Sequence, residues 1–193
     1  MHIDELSGRA KKFFGLIEFD KDENLVWEIR KHPFGLFLIY LTGSIVTLII
    51  FMFLVLGAAT YDSNFLGLGI ELGNLRPIAI GLGFIMSVLS LGGTLLGAFL
   101  YTSDVVIVTS EKIAQLLYAT IFNKKISQLS IGDIQDVTVT QKGIFAHLFN
   151  YGTLVIETAG EQQNYTFTYT PNPYEASKAI VGAHEKDVSL HGN

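Results

Sequence analysis

The sequence predicts two structural parts: a membrane α-helical hairpin of two transmembrane helices, and a mainly β domain of the α+β class with a C-terminal helix. Three observations predict this fold class. The chain of 193 residues contains 49% hydrophobic but only 16% charged residues, whereas soluble domains carry about 25% charged residues. The deficit is concentrated in residues 32–61 and 77–103, which contain no Asp, Glu, Lys or Arg. The residues that follow alternate between apolar and polar side chains, which is typical of half-buried strands.

Residues 34–59 and 77–101 are the two predicted spans, with 26 and 25 residues respectively. A bilayer core about 30 Å thick is crossed by about 20 apolar helical residues. A buried helix of a soluble protein usually keeps a polar stripe, and neither run has one. The first run also begins too late and is too long for the apolar part of a signal peptide. We therefore expect it to be retained.

The distribution of basic residues predicts the topology. Six Lys and Arg precede the first span and six follow the second, whereas residues 60–76 contain only Arg76. Because basic residues resist translocation, we expect a multi-pass protein of the cell membrane with both termini in the cytoplasm. The predicted organisation is a cytoplasmic segment (1–33), the first span (34–59), an external loop (60–76), the second span (77–101), a cytoplasmic domain (102–186) and a flexible tail (187–193).

Small residues are frequent in the second span. Gly93 and Gly97 form a GxxxG motif, and Ala79, Gly83 and Ser87 continue the four-residue spacing. Small residues let helices approach closely in lipid. Gly93 and Gly97 are therefore predicted to be helix-packing residues. The favoured interpretation is packing of the two spans against each other, and the alternative is a dimer interface.

The residues after the second span have the period of β structure. Tyr or Phe alternates with Thr in residues 165–170, and apolar and polar side chains alternate in residues 154–158. Further short strands are predicted at residues 105–108, 113–122, 125–129 and 137–140. The pattern indicates six or seven short antiparallel strands.

Two segments of this domain are predicted to be helical. Residues 143–152 place Ile144, Leu148 and Phe149 on one face of a short helical turn, which we expect to pack on the end of the sheet; the alternative is contact with the membrane. A C-terminal helix is predicted from Asn172 as N-cap, Pro173 as first helical residue and Glu175 three residues after the cap. Its buried face is expected to carry Ala176, Ile180 and Ala183.

The arrangement of these segments resembles the bacterial pleckstrin-homology (PH)-like domain membrane proteins, over residues 25–182. That family has two spans, a strand with an I-x-x-V pattern, a short glycine-bounded turn, a G-T-[VL]-x-[IV]-E-T strand and a Pro-led helix. Residues 28–33 also resemble the basic lead-in before the family's first span. Nine residues match the pattern of the domain: Ile134, Val137, Gly143, Leu148, Gly152, Thr153, Glu157, Thr158 and Pro173.

The resemblance implies a PH-like barrel with a C-terminal helix on a membrane anchor, and it implies no particular reaction. PH-like barrels elsewhere often hold anionic phosphate with basic residues at one rim. The candidate ligand-binding residues here are therefore Lys124, Lys125 and Lys142. The competing interpretation is a solvated turn, because residues 103–193 carry six basic and nine acidic side chains. The chain departs from the family at Ala146-His147, where the family often has Arg, and at Asn150, which replaces Gly.

No catalytic motif is found in the sequence. It has no cysteine, no GxGxxG after a strand, no P-loop, no HExxH and no GxSxG. Its five histidines are scattered, and Asp133 and Asp136 have no spacing typical of a metal site. We expect no enzyme activity, no cofactor and no metal. His32, beside the first span, is interpreted as an interfacial side chain, with a pH-sensing role as the alternative.

The favoured functional hypothesis is a membrane-anchored PH-like interaction or scaffold module at the cytoplasmic face of a bacterial membrane. It is expected to contact membrane lipids as an integral protein, to bind a protein partner or form a homo-oligomer, and to bind no nucleic acid. The alternative is a protein that binds lipid headgroups or responds to envelope stress. An enzyme or transporter is the least favoured class, because the spans contain no charged residue that would line a polar path.

Overall fold

A computed structural model describes residues 6–17, 19, 23–60, 76–158 and 164–191. The chain divides into two compact units, Met1–Gly35 with Leu100–Asn193, and Leu36–Phe99. Most of the predicted external loop lies outside the described residues. In chain order the elements are α1 (Gly8–Phe14), β1 (Leu25–Arg30), α2 (Pro33–Thr60), α3 (Arg76–Ser103), β2 (Val105–Thr109), β3 (Lys112–Tyr118), β4 (Lys124–Ser130), a 3-10 turn (Ile131–Asp133), β5 (Ile134–Thr140), α4 (Ile144–Leu148), β6 (Tyr151–Thr158), β7 (Tyr165–Pro171) and α5 (Pro173–His191).

The unit Leu36–Phe99 consists of the main parts of α2 and α3, two helices long and apolar enough to cross a membrane. Small and hydroxyl residues let these helices approach. A Cβ atom on Gly43 would overlap the side chain of Thr94, and one on Gly83 would lie 2.7 Å from the Cβ of Leu54. The hydroxyl of Thr47 donates a hydrogen bond of 2.9 Å to that of Ser90. Close approach of this kind is how apolar helices gain packing energy without a hydrophobic driving force.

The two glycines of the GxxxG motif occupy different surroundings. A Cβ atom on Gly97 would lie 3.7 Å from Ile39, whereas one on Gly93 would have no neighbour within 4 Å. The contacting residues of α3 are spaced by seven, four and three along the helix, at Gly83, Ser90, Thr94 and Gly97. Residues at this spacing share one helix face. The role of Gly93 and Gly97 in helix packing stays a prediction.

The other unit contains two antiparallel sheets, one of order β1-β2-β3-β4 and one of order β5-β6-β7. Together with α5 they confirm the predicted PH-like fold class. The strands predicted from residue 105 onward are all present as β2 to β7. The predicted strand 113–122 ends earlier, at Tyr118, because residues 119–123 form a turn in which the amide of Ala119 donates to the carbonyl of Asn123.

One strand was not predicted. Residues of β1, which precede α2 in the sequence, pair with β2, which follows α3, so that Arg30 lies opposite Val105. The sheet therefore combines a segment from before the first apolar helix with residues from after the second. Sequence analysis places residues 1–33 in an N-terminal segment outside the predicted domain, with residues 28–33 as the family's lead-in to the first span.

The main core lies between the two sheets and α5. Ala176, Ile180 and Ala183 of α5 are buried there, on the helix face that the sequence predicted. Ile29 of β1 and Phe167 of β7 belong to the same cluster. The helix runs to His191, past the predicted domain boundary at residue 186.

A smaller core covers the other face of the first sheet. Leu6, which precedes α1, and Ala10, which lies within it, pack on Val105 and Ile107 of β2. Strand β2 is consequently buried along its whole length. The capping hydroxyl of Ser7 accepts from the amide of Ala10, so that the start of α1 is satisfied locally.

Candidate functional site

The β domain is the unit that contains both sheets and α5. We call the end of this domain at which α2 begins and α3 ends the helix-proximal end. Strand β1 leads into α2 after two residues, and Asp104 alone separates α3 from β2. The amide of Tyr118, at the end of β3, donates a 2.8 Å hydrogen bond to Asp104 Oδ1. In the second sheet, the carbonyl of Tyr169 accepts the amide of His32 at 2.6 Å. Strands from both sheets therefore reach the residues at which α2 begins and α3 ends.

An ion pair joins these two points of the chain. Lys31 Nζ lies 2.8 Å from Asp104 Oδ2, and both side chains are largely buried, with 16% and 8% of their surface exposed. The same ammonium group lies 5.1 Å from the ring centroid of Tyr101. Buried charges are tolerated where they are paired and hydrogen-bonded, and Asp104 has both the ion pair and the Tyr118 amide.

Aromatic rings are stacked at the helix-proximal end. Phe34, the second residue of α2, stacks on Tyr151 with ring centroids 5.2 Å apart, and Tyr151 stacks on Tyr169 at the same distance. Tyr101 meets the edge of Tyr169. Such pairs contribute beyond the area that they bury. Sequence analysis did not predict this cluster, since its members are separated by up to 135 positions.

His32 has a structural role at the start of α2. Its Nδ1 atom accepts the amide of Phe34 at 3.1 Å, and its ring lies 5.4 Å from that of Tyr151. It acts as an N-cap before Pro33, a residue well suited to the first helical position. Burial lowers the pKa of His32 below its usual value, and the neutral ring is the form in which Nδ1 accepts a hydrogen bond.

Tyr169 has an unusual backbone conformation, with a φ of 56°. A bulky side chain in the left-handed region costs of the order of 1 kcal/mol or more and persists where surrounding contacts impose it. Asn150 and Asn172 also have positive φ, which Asn tolerates better. Asn172 precedes α5 as predicted, but its side-chain oxygen accepts a hydrogen bond from Asn150 Nδ2 at 2.8 Å.

The predicted basic residues lie at the helix-proximal end, on two different sheets. Lys124 and Lys125 are the first residues of β4, opposite Tyr118 and Leu117, and both are exposed. Lys142 follows β5 and lines a groove of about 470 Å³ on the second sheet. Their proposed role as ligand-binding residues stays a prediction.

The groove beside Lys142 is formed mainly by the outward-facing side chains of β5, β6 and β7. Its lining combines aromatic, hydroxyl and aliphatic groups: Thr140, Lys142, Ala146, Tyr151, Gly152, Thr153, Val155, Thr168 and Tyr169. Gly152 is required by close packing, because a Cβ atom there would lie 2.9 Å from the carbonyl oxygen of Thr140. This surface offers hydrogen-bonding hydroxyls next to aromatic rings.

The expectation that α4 packs its apolar face on the sheet is wrong. The buried residue of α4 is Ala146, whereas Ile144 is 83% exposed and Leu148 is 69% exposed. Phe145 and Phe149 both stack on Phe34. Because α4 has only five residues, only one of its faces packs on the domain. That face carries the small residue Ala146, and the large apolar residues Ile144 and Leu148 are left exposed.

The acidic residues considered in the sequence lie at the opposite end of the domain. Asp133 is in the 3-10 turn that precedes β5. Asp136 lies opposite Glu157 in the pairing of β5 with β6, near the end of β6. Within the described residues no group of three or more His, Asp or Glu is arranged to hold a metal ion.

Glu28 of β1 connects the N-terminal helix to the sheet. Its carboxylate accepts hydrogen bonds from the hydroxyl and the amide of Ser7 at 2.5 and 2.9 Å and from Arg30 Nε at 2.7 Å. Burial on its own would raise the pKa of Glu28, but these hydrogen bonds outweigh it and lower the pKa below the usual value. The carboxylate is therefore held in its charged form.

Comparison with known proteins agrees with this architecture. Residues 34–180 match the bacterial PH domain family, and the chain belongs to that family, as the sequence resemblance indicated. None of the curated proteins matches the chain. Among solved structures, a DUF1696 family protein with a pleckstrin-homology domain from Shewanella loihica is similar, with 16% identity and a TM-score of 0.33, covering 42% of this chain and 70% of that one.

Proposed function

We propose that this protein is a membrane-anchored, non-catalytic interaction module, whose PH-like domain is held at the cytoplasmic face and binds a protein partner or a second copy of itself. The observation that carries the proposal is the pairing of β1 with β2. These strands flank the two apolar helices in the sequence, so the chain must return to the compartment from which it left. Two crossings of one bilayer satisfy this requirement.

The surface of the two helices supports the anchor. The most apolar part of α2 has no buried residue, and that of α3 has 11% buried. Large apolar side chains such as Phe53, which is 78% exposed, are distributed along α2. A contiguous apolar surface of this length is unfavourable in water and suits hydrocarbon.

The cytoplasmic orientation rests on the basic residues that flank the helices. Because the chain has no cysteine, single cysteines report topology directly. We expect Ser63→Cys, in the connecting segment, to react with a membrane-impermeant maleimide in intact spheroplasts. Ser189→Cys, on α5, is expected to react only after permeabilisation. The opposite pattern would reject this orientation.

The groove on the second sheet is the proposed partner site. Thr140, Thr153 and Thr168 line it together with Tyr151 and Tyr169. Tyr rings offer apolar area and a polar group at low entropic cost, which explains their enrichment at interfaces. Anchoring raises the effective concentration of such a surface for partners in the same membrane.

Site-specific photo-crosslinking in native membranes tests this assignment. Benzoylphenylalanine replaces the exposed Thr168 in the groove, and Lys178, exposed on α5, is the control position. We expect a discrete adduct from Thr168 that disappears when Thr153→Arg fills the groove. Its mass distinguishes a second copy from another protein. Equal adduct formation from Lys178 would contradict the proposal.

Headgroup binding is a second candidate function, favoured by the position of Lys124 and Lys125 at the helix-proximal end. Each basic residue near an anionic membrane surface contributes about 1 kcal/mol. The full chain is the appropriate sample, because residues 102–186 alone would lack β1. We expect Lys124→Ala with Lys125→Ala to reduce the anionic lipid that co-purifies in mild detergent, and Lys178→Ala to leave it unchanged. An unchanged lipid content in the double variant would reject these residues.

A further inference from the structure

Two exposed apolar segments project from the helix-proximal end, and we refer to them together as the apolar tips. The first is the turn between β3 and β4, where Ile121 and Phe122 are exposed, Phe122 by 95%. The second is α4 with the residue that follows it, where Ile144, Phe145 and Leu148 are exposed. Isolated apolar side chains are common on protein surfaces, but two clusters at the same end of a small domain indicate a contact surface.

The strand register places both tips at the same end. The β3–β4 turn follows Tyr118, whose amide is bound by Asp104 immediately after α3. The α4 tip follows β5 and precedes β6, and Phe145 stacks on Phe34 with centroids 5.5 Å apart. Both tips therefore lie at the end of the domain at which α3 ends and α2 begins.

This continuity identifies the occupant as a lipid bilayer. Phe34 is the second residue of α2, and every residue from 34 to 60 lacks a charge. If α2 enters hydrocarbon, its first turn lies at the membrane interface, and the rings stacked on Phe34 lie at the same level. Apolar side chains that project into this layer bury their surface among headgroups and the upper acyl chains.

Charge supports the same occupant. Lys124 and Lys125 follow the first tip directly, and Lys142 precedes the second by two residues. Long basic side chains extend their charge toward headgroups while their stems contact apolar groups. Among the described residues, the acidic side chains nearest this end are Asp104, which is paired with Lys31, and Glu175 in the first turn of α5.

We propose that the apolar tips insert into the interfacial layer of the bilayer that α2 and α3 cross, so that the β domain contacts the membrane through the β3–β4 turn and α4 as well as through its two covalent connections. The inference rests on the proposed membrane anchor. It adds a contact surface that is distinct from the groove on the second sheet.

Depth-dependent fluorescence quenching in the full chain tests the proposal. Single cysteines replace Phe122 and Leu148 at the tips, Lys178 on α5 as a control in water, and Phe53 in α2 as a control in lipid. Each is labelled with NBD and reconstituted in nanodiscs that contain phosphatidylcholine, phosphatidylglycerol and a lipid with a nitroxide near the headgroup end of its acyl chain. Insertion by about 5–10 Å is typical of interfacial segments and brings a label close to this quencher.

We expect strong quenching at positions 122 and 148, and emission at position 178 that does not change with the quencher. Quenching at the tips no greater than at position 178 would overturn the inference. In that case, quenching at position 53, measured with a nitroxide deeper in the acyl chain, would support the membrane anchor and reject only the insertion of the apolar tips. Loss of quenching at position 53 instead rejects the anchor itself.

Two further measurements separate insertion from its alternatives. The emission of Trp27, the single tryptophan, shows whether each labelled chain is folded. Oxidation of unlabelled Leu148→Cys tests for a second copy on the same surface. Efficient disulfide-linked dimers together with unquenched tips would assign the surface to self-assembly and overturn the proposed contact with lipid.

Discussion

The ion pair of Lys31 and Asp104 connects the start of the first apolar helix to the end of the second, and its removal is expected to destabilise the β domain. Asp104→Asn removes the charge but keeps a side-chain oxygen that accepts the Tyr118 amide. The substitution therefore isolates the ion pair from the hydrogen bond. It leaves the Lys31 ammonium with 16% of its side-chain surface exposed and without its carboxylate.

The magnitude follows from the geometry. At the observed 2.8 Å and an effective dielectric constant of about 20, the direct attraction is about 6 kcal/mol, most of which offsets the cost of desolvating both groups. Breaking a fully buried pair by removing one partner costs about 3–5 kcal/mol. Because Lys31 retains some contact with water, we expect a loss of about 2–3 kcal/mol.

Urea unfolding in detergent, followed by the emission of Trp27, measures this loss. Trp27 lies in β1 and packs against the main core, so that it reports the β domain. With a dependence on urea of about 2 kcal/mol per molar, the midpoint is expected to fall by about 1–1.5 M.

A double variant provides the control. Lys31→Met combined with Asp104→Asn removes both charges, and it is expected to be more stable than Asp104→Asn alone, because no uncompensated charge stays buried. A midpoint for Asp104→Asn equal to that of the parent protein would refute the assignment of a buried, stabilising pair. So would a double variant whose loss equals the sum of the two single losses.

Three further outcomes are expected. Gly152→Ala is expected to lower the free energy of unfolding by about 1–3 kcal/mol through overpacking. Gly182→Ala, where an added Cβ meets no neighbour within 4 Å, is expected to raise it by up to about 1 kcal/mol. The urea midpoints of the two variants distinguish these outcomes. Glu28 has a lowered pKa in the folded protein, against a value of about 4.5 for the unfolded chain. Its contribution to stability is therefore complete above the unfolded pKa and is lost as pH falls through the folded pKa. Glu28→Gln is expected to flatten that part of the stability–pH curve, and an unchanged slope would contradict this. Gly43→Val is expected to separate α2 from α3, which reduced disulfide formation between Thr47→Cys and Ser90→Cys would detect.

Much of the fold was predictable because its signals are local. The apolar runs of α2 and α3 are continuous, and the Tyr/Phe–Thr alternation of β7 has the period of a strand. The face of α5 that carries Ile180 repeats at helical spacing. Each of these patterns depends on neighbouring residues alone, and the structure confirms them.

The features that were missed depend on distant parts of the chain. Strand β1 is only six residues long and alternates apolar and polar residues only from Trp27 to Arg30, and its partner follows both apolar helices. The apolar face of α4 was recognised, but periodicity does not distinguish a face that packs on protein from one that is exposed. The position of Lys124 at the helix-proximal end follows from the return of β3 to Asp104, which no local pattern contains.

The pairing of β1 with β2 also has a consequence for biosynthesis. Residues of β1 leave the ribosome 75 to 84 positions before their partners, which at about 5–20 residues per second corresponds to a delay of roughly 4–17 s. Throughout that interval the first strand has an unsatisfied edge, and such edges recruit other chains. Completion of the sheet therefore waits for synthesis of both apolar helices, and a chain that stops before β2 is left with β1 unpaired.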